Sequence, residues 1–191
     1  TGSPAIDAAA AWCEGFSTDQ RGLPAPSGSA CDMGSFEVQA APTMQPDAMV
    51  SVGGPTKGDN IYGPNASGQS IVGKIGPHET RVFTFTFQND GEAADTFRLS
   101  GPGSTSLVTA TYYSGVEGTT DITDQVVAGT FTTASIAPGD SMTVRLSLQA
   151  GSITKRTIQK WQMKARSVTD STKADAARAV AKLLPRAQAI P

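Results

Sequence analysis

The sequence carries few residues of the types that perform catalysis. Its single histidine, His78, lies between Pro77 and Glu79, and no G-x-S-x-G motif accompanies it. A Ser-His-Asp or Cys-His arrangement would have to use this histidine. We therefore interpret His78 as a solvated turn residue, expect no catalytic residue, and predict that the chain is not an enzyme.

One stretch approaches a phosphate-binding loop. The segment GQSIVGKI (68–75) has Gly68, Gly73 and Lys74 at P-loop spacing. Ile75 occupies the position where Ser or Thr binds magnesium, and Gly-Pro follows in place of a helix whose N-terminus would hold phosphate. The sequence therefore predicts no nucleotide site here.

Metal binding has weak support. Two cysteines and one histidine do not complete a closed zinc site without carboxylates. Five aspartates are candidates to join turn carbonyls around calcium, but none lies in an EF-hand or repeat-type loop. We interpret them as solvated turn carboxylates and predict no metal ligand and no cofactor, with calcium left open; they are Asp59, Asp121, Asp124, Asp170 and Asp175.

The two cysteines, Cys13 and Cys31, are 18 positions apart. An even pair in a chain of this type suggests one disulfide and an oxidising compartment. Closing a loop of this size stabilises the fold by on the order of 3 kcal/mol in the chain-entropy account. Two free buried thiols are the alternative.

Aromatic side chains are the candidate ligand contacts. Tyr62, Tyr113 and Trp161, with Tyr112 beside them, would serve a module that binds glycan or cell-wall polymer if they were exposed on one face or loop. The alternative is that each of them packs in the core or at a sheet edge.

Charge is distributed unevenly along the 191 residues. The net charge is −2, but residues 1–151 carry −9 and residues 152–191 carry +7. The overall charge points to no nucleic-acid partner. The basic C-terminal region either pairs with acidic surface nearby or contacts a polyanion such as a cell-wall polymer. The sequence contains no run of 18 apolar residues, so it predicts no membrane span.

Alternating residues predict an all-β fold. Phe83, Phe85 and Phe87 alternate with Val and Thr, which is typical of a strand with one buried face, and Asn-Asp-Gly then provides a turn. Seven or so short strands with regular turn signals indicate an antiparallel β-sandwich. The further strands are expected at 95–99, 107–113, 125–132, 142–148 and 161–165.

The segment 174–184 is ambiguous. Its alanines and leucines fall at helical spacing and alanine favours helix, yet alternate residues also fit a last strand. The pattern alone favours the helix.

The first 37 residues resemble a known family. TGSPAID and STDQRGLPAPSGSACDMGSFE resemble the closing segment of secreted bacterial proteins with a right-handed parallel β-helix, the pectate-lyase-like choice-of-anchor Q type. The resemblance implies a terminal coil or cap, stapled by Cys13–Cys31, with Arg21 in a structural ion pair to Asp19 or Asp32. It also implies a stack plugged by Ile6, Phe16, Met33 and Phe36.

Residues 47–184 resemble immunoglobulin-like DUF11 and CARDB-type modules of bacterial surface proteins. The matching pieces, in order, include the Phe strand, DTF (95–97), DIT (121–123), IAPG (136–139) and ARSVTDSTKADAARAV (165–180). In those modules the last piece leads into the final strand, so the resemblance favours strand at 175–182.

Together these features predict residues 1–39 as the β-helix cap fragment, 40–48 as a linker, 49–184 as the Ig-like sandwich and 185–191 as a tail. The expected function is a non-catalytic extracellular or cell-surface spacer, whose partner is an upstream β-helix domain of the same protein. The alternatives are a module that binds glycan or cell-wall polysaccharide, and an accessory part of a polysaccharide-active enzyme. The chain is expected to be a fragment whose β-helix body precedes Thr1.

Overall fold

The computed structural model describes residues 4–9, 17–34, 36, 39, 41–115 and 117–185. The chain divides into two compact units, Thr1–Pro42 and Thr43–Pro191. Cys13 and Phe16 lie outside the described residues, so the Cys13–Cys31 disulfide and the place of Phe16 stay predictions.

The first unit is organised by polar turns. The Asp19 carboxylate accepts the backbone N–H of Arg21 at 2.8 Å and of Leu23 at 3.1 Å, and it pairs with the Arg21 guanidinium at 2.6 Å. The Arg21–Asp19 pair is therefore structural. The described residues of this unit contain no strand, so the expected β-helix coil is not shown.

The second unit is all-β apart from one short helix in its described part. The elements in chain order are β1 (Pro46–Ser51), β2 (Ser70–Ile75), β3 (Thr80–Asn89), β4 (Phe97–Ser100), β5 (Val108–Ser114), β6 (Thr120–Asp121), α1 (Thr123–Ala128), β7 (Phe131–Thr132), β8 (Ser141–Ala150), β9 (Thr157–Ser167) and β10 (Ala174–Leu183). The strands form two five-stranded sheets, with strand orders β1-β3-β8-β5-β6 in sheet 1 and β2-β10-β9-β4-β7 in sheet 2.

Alternating side chains of the two sheets form one core. Phe83, Phe85 and Phe87 of β3 are fully buried and belong to the same cluster as Trp161 and Met163 of β9. Strand β3 pairs antiparallel with β8, which places Phe85 opposite Val144. The predicted β-sandwich is therefore confirmed at the level of an all-β, two-sheet domain.

The strand expected at 125–132 is wrong. Residues 123–128 form α1, and only Phe131–Thr132 extend, as β7. The helix ends at Gly129, whose φ of 67° is the left-handed conformation that suits a helix C-terminus. Val126 is fully buried from this helix, so its apolar character reflects burial from a helix and not strand periodicity.

Residues 174–183 form strand β10, as the resemblance indicated and against their helix propensity. The strand pairs antiparallel with β9 and parallel with β2. Ala177, Ala179 and Ala181 face the core and are fully buried. Pairing on both sides outweighs intrinsic propensity, because tertiary packing supplies most of the stability of a short element.

The N-terminal boundary of the sandwich lies earlier than the sequence indicated. Residues 46–48, interpreted as part of a linker, belong to β1, where Pro46 pairs with Asn89 of β3. Pro46 is tolerated because β1 is an edge strand.

Gly73 lies at a position where a larger side chain would disturb the packing of the core. A Cβ at this position on β2 would lie 2.6 Å from Cζ of the buried Phe83. We expect Gly73→Ala to lower the free energy of unfolding by about 1–3 kcal/mol, because the ring has to shift within a filled core. Urea unfolding followed by circular dichroism checks this, and Gly54→Ala, where a Cβ meets no atom within 4 Å, is the control. Equal stability of both variants would contradict it.

Candidate functional site

Two buried carboxylates lie on facing sheets of the sandwich. Asp47 lies on β1 of sheet 1 and Asp175 on β10 of sheet 2, and both side chains are fully buried. Gln69, also fully buried, lies just before β2 and contacts Asp175. We call Asp47 and Asp175 the buried carboxylate pair.

Asp175 is held by donors from three parts of the chain. Its Oδ2 accepts the backbone N–H of Ala48 at 2.7 Å, and its Oδ1 accepts that of Gly63 at 2.7 Å. The Gln69 amide donates to both oxygens, at 3.0 and 3.1 Å. Burial raises the pKa of Asp175, and the hydrogen bonds from Ala48 and Gln69 oppose that rise. These contacts fasten β1 and the segment before β2 to β10.

Asp47 is less well satisfied. Its Oδ2 accepts the backbone N–H of Asn60 at 3.1 Å, while its Oδ1 has no hydrogen-bond partner among the described residues. Burial, with the negative charges of Asp90, Asp175 and Asp59, raises the pKa of Asp47 to about 7. The side chain is therefore about half protonated near neutral pH. A carboxyl so deeply buried does not reach a substrate from this position.

Tyr62 lies at the exposed side of this cluster. Its hydroxyl donates to Asp90 Oδ2 at 2.8 Å and lies 3.2 Å from Asn60 Oδ1, and the residue is 45% exposed. Desolvation and the Asp90 carboxylate raise the pKa of Tyr62. Of the three aromatic candidates, Tyr62 is the one that presents a large exposed surface.

The other two aromatic candidates do not join it. Trp161 is 1% exposed, and its indole N–H donates to the Gly103 carbonyl at 3.1 Å, so it is a core side chain and not a surface contact. Tyr113 lies half-buried on β5 with the Arg145 guanidinium 5.0 Å from its ring centroid. Tyr62 is hydrogen-bonded to Asp90 just after the end of β3, and β8 separates β3 from β5, so Tyr62 and Tyr113 belong to different parts of the surface.

Asp59 borders this cluster through Asn60, whereas several other sequence candidates lie apart from it. His78 is exposed in a turn with φ of 61°. Gly73 and Lys74 lie on β2 and not in a loop. Asp121 and Asp170 accept the backbone N–H groups of Thr123 and Thr172, which are turn contacts.

Metal binding is no better supported by the geometry. Across the described residues, no group of three or more His, Cys, Asp or Glu side chains is arranged to hold a metal ion. Asp175, interpreted from sequence as a solvated turn carboxylate, is instead a buried residue of β10. Asp47 and Gln69 gave no sequence signal, because only the pairing of distant strands places them beside Asp175.

The structures named below match this chain only distantly. No protein-family model matches the sequence, and no curated protein matches it. A family 123 glycoside hydrolase from Clostridium perfringens matches 77% of this chain at 5% identity with a TM-score of 0.45. The secreted serine protease VesC from Vibrio cholerae matches 58% at 18% identity with a TM-score of 0.37. The chain spans 28% of that hydrolase and 21% of that protease.

A domain of different origin also matches. PapD-like domain 7 of human CEP192 matches 81% of this chain at 12% identity, with a TM-score of 0.39, and 99% of that domain is covered.

The matches correct one expectation. The prediction that the chain is not an enzyme is contradicted, because a glycoside hydrolase and two Vibrio cholerae proteases are among the matching structures. These similarities do not assign a reaction to this chain. No helix in the described part of the chain is long and apolar enough to cross a membrane. The two paired sheets and their shared core show that residues 46–183 form an all-β sandwich.

Proposed function

We propose that the chain is a structural module of a secreted or cell-surface bacterial protein, in which an Ig-like sandwich of the DUF11/CARDB type spaces or presents a neighbouring domain. The observation that carries this proposal is the single core shared by both sheets, from Phe85 on one to Trp161 on the other. Asp175 adds a buried hydrogen bond between the sheets, because its carboxylate on β10 accepts the backbone N–H of Ala48 on β1. A sandwich closed in this way suits a durable spacer.

The first unit supports a role in contact with another domain. Met33 is 64% exposed and Phe36 is 55% exposed, and Ala30 is the one buried residue among those described in this unit. Large apolar side chains exposed in this way are candidates for contact with other protein. We infer that residues 1–39 cap the end of a parallel β-helix, whose last coil would cover these side chains.

Cysteine chemistry in the host bacterium tests the extracellular part of the proposal. We expect the protein in the medium or surface fraction, with a Cys13–Cys31 linked peptide found by mass spectrometry after alkylation without reductant. Such a disulfide persists only in an oxidising compartment. Recovery in the cytosolic fraction with both cysteines alkylated would contradict the proposed location.

Amide hydrogen exchange on the full chain tests the spacer role. The backbone amides of β3, β8, β9 and β10 should exchange only through global unfolding, because these strands are paired on both sides and flank the core. Exchange of these amides at the rates of an exposed loop such as 154–156 would show a domain too loosely closed to act as a spacer.

A further inference from the structure

The outward surface of sheet 2 is strongly basic. Along β9, Trp161, Met163 and Ala165 are buried in the core, so the residues that alternate with them point away from it. The same alternation on β2, β4 and β10 defines the other outward positions. We call the basic side chains at these positions the basic face; they are Lys74, Arg98, Lys160, Lys164, Arg166, Arg178 and Lys182.

Strand register brings like charges together on this face. Lys74 of β2 is the partner of Lys182 of β10, and Arg98 of β4 is the partner of Arg166 of β9. Neighbouring strands are about 4.8 Å apart, and like charges directly opposite destabilise a sheet. The strands of sheet 2 carry one acidic residue, Asp175, and it points into the core. The repulsion is therefore not relieved within the face.

Neighbouring segments do not neutralise the face either. None of its seven basic side chains forms an ion pair with a described residue. Arg166 donates to the Ser171 carbonyl at 2.6 Å, and Arg178 donates to the Asn65 carbonyl and to Gln162. These acceptors are uncharged, so they orient the guanidinium groups and leave their charge available. The members of this face in the basic C-terminal region, Lys160, Lys164, Arg166, Arg178 and Lys182, thus form no ion pair with acidic side chains in the described part of the chain.

One end of the basic face contains a shallow depression. It is lined by Arg98, Arg166, Ser167, Val168 and Ser171. Both arginines are exposed, and within the described residues the Arg98 guanidinium has no hydrogen-bond partner. Two adjacent guanidinium groups present planar pairs of donors that match the oxygens of a carboxylate or sulfate.

The basic face is elongated along β9. Strand β9 carries outward residues from Ile158 to Arg166, a length of roughly 27 Å at about 3.4 Å per residue. The segment at Pro64 and Asn65 lies over the middle of the face, where it accepts hydrogen bonds from Gln162 and Arg178. An arginine end and a lysine end remain exposed on either side of it.

We propose that the basic face binds a linear anionic polysaccharide, and that the depression at Arg98 and Arg166 holds one of its carboxylate or sulfate groups. No aromatic side chain occupies an outward position of β2, β4, β9 or β10, so the face lacks the stacking surface that single-stranded nucleic acid uses. The same positions lack the aromatic and leucine side chains that insert into a bilayer. The inference is independent of the spacer role.

Binding of the full chain to alginate, a linear polyuronate, and to dextran sulfate tests the proposal by isothermal titration calorimetry. We expect binding to both at low ionic strength, weakening as salt is added, and none to neutral dextran. Single-stranded RNA and vesicles containing phosphatidylserine are the comparison ligands. Failure to bind either polyanion, or tighter binding to RNA or vesicles than to both polysaccharides, would overturn it.

A double variant locates the site. Arg98→Thr with Arg166→Thr should weaken binding to alginate by roughly ten-fold or more, because charge-assisted hydrogen bonds are lost. The matched control removes two positive charges elsewhere, Lys57→Ser with Arg81→Ser, and should change the affinity by less than about three-fold. Thermal unfolding of each variant verifies folding, and removing the opposed arginines should not lower the melting temperature. Equal affinities of the two double variants would refute the assigned site.

Discussion

Replacing Asp47 with asparagine is expected to stabilise the protein above neutral pH by on the order of 2–4 kcal/mol. Burial and the neighbouring carboxylates raise the pKa of Asp47 from 3.8 to about 7 in the folded protein. Below pH 3.8 both the folded and unfolded states are protonated. Between the two values the folded state binds more protons, so the free energy of unfolding falls as the pH rises towards 7. Above pH 7 the free energy of unfolding stays at this lower value, because Asp47 is ionised in both states.

Asparagine has the shape of the protonated carboxyl and does not titrate. The free energy of unfolding of Asp47→Asn should therefore equal that of the wild type near pH 4. It should exceed the wild-type value by an increasing amount up to pH 8, as measured by urea unfolding followed by circular dichroism. Asp140→Asn is the control, because Asp140 is an exposed carboxylate. A variant that is less stable than the wild type at pH 8 would show that the charged form of Asp47 is needed in the folded state.

Trp161→Ala should destabilise the sandwich by about 3–5 kcal/mol, the cost typical of removing a large buried aromatic side chain. The indole is 1% exposed and belongs to the core cluster. Its N–H donates to the Gly103 carbonyl, which would lose a partner. Domains of this kind have a free energy of unfolding of only about 5–15 kcal/mol, so this substitution removes a large part of it.

A neighbour on the same strand provides the matched control. Ile158 lies on β9 like Trp161 but points outward and is 55% exposed. Ile158→Ala should change the free energy of unfolding by less than about 0.5 kcal/mol. The midpoint of guanidinium unfolding distinguishes the two variants. If Trp161→Ala unfolded at the wild-type midpoint, the burial of this indole would be refuted.

Local patterns were sufficient to predict the sandwich core. Phe83, Phe85 and Phe87 alternate with small polar residues, and the structure buries all three on one face of β3. The strand predicted from the same kind of pattern at 125–132 was wrong. Val126 is buried there because it lies on α1, which packs against β4 and β5. At β10, strand pairing overrides the alanine-rich composition that favours helix.

The buried carboxylate pair and the basic face were not predictable in the same way. Asp47 and Asp175 are separated by more than a hundred residues, and no local pattern relates them. The charge asymmetry of the sequence was visible, but it did not show which basic residues share a surface. That depends on register, which places Arg98 beside Arg166 although they are far apart in the chain.

The parallel pairing of β2 with β10 has a consequence for how the protein is made. Strand β10 lies between β2 and β9 in sheet 2, yet it follows every other described strand in the chain. Sheet 2 therefore cannot include β2 until residues 174–183 have been synthesised. More than a hundred residues separate each residue of β2 from its partner on β10 in the chain. Contacts of such long range slow folding. Until β10 has been synthesised, Ile71 and Ile75 of β2 lack their partners Ala179 and Leu183, so their apolar side chains stay exposed in the incomplete chain and favour aggregation.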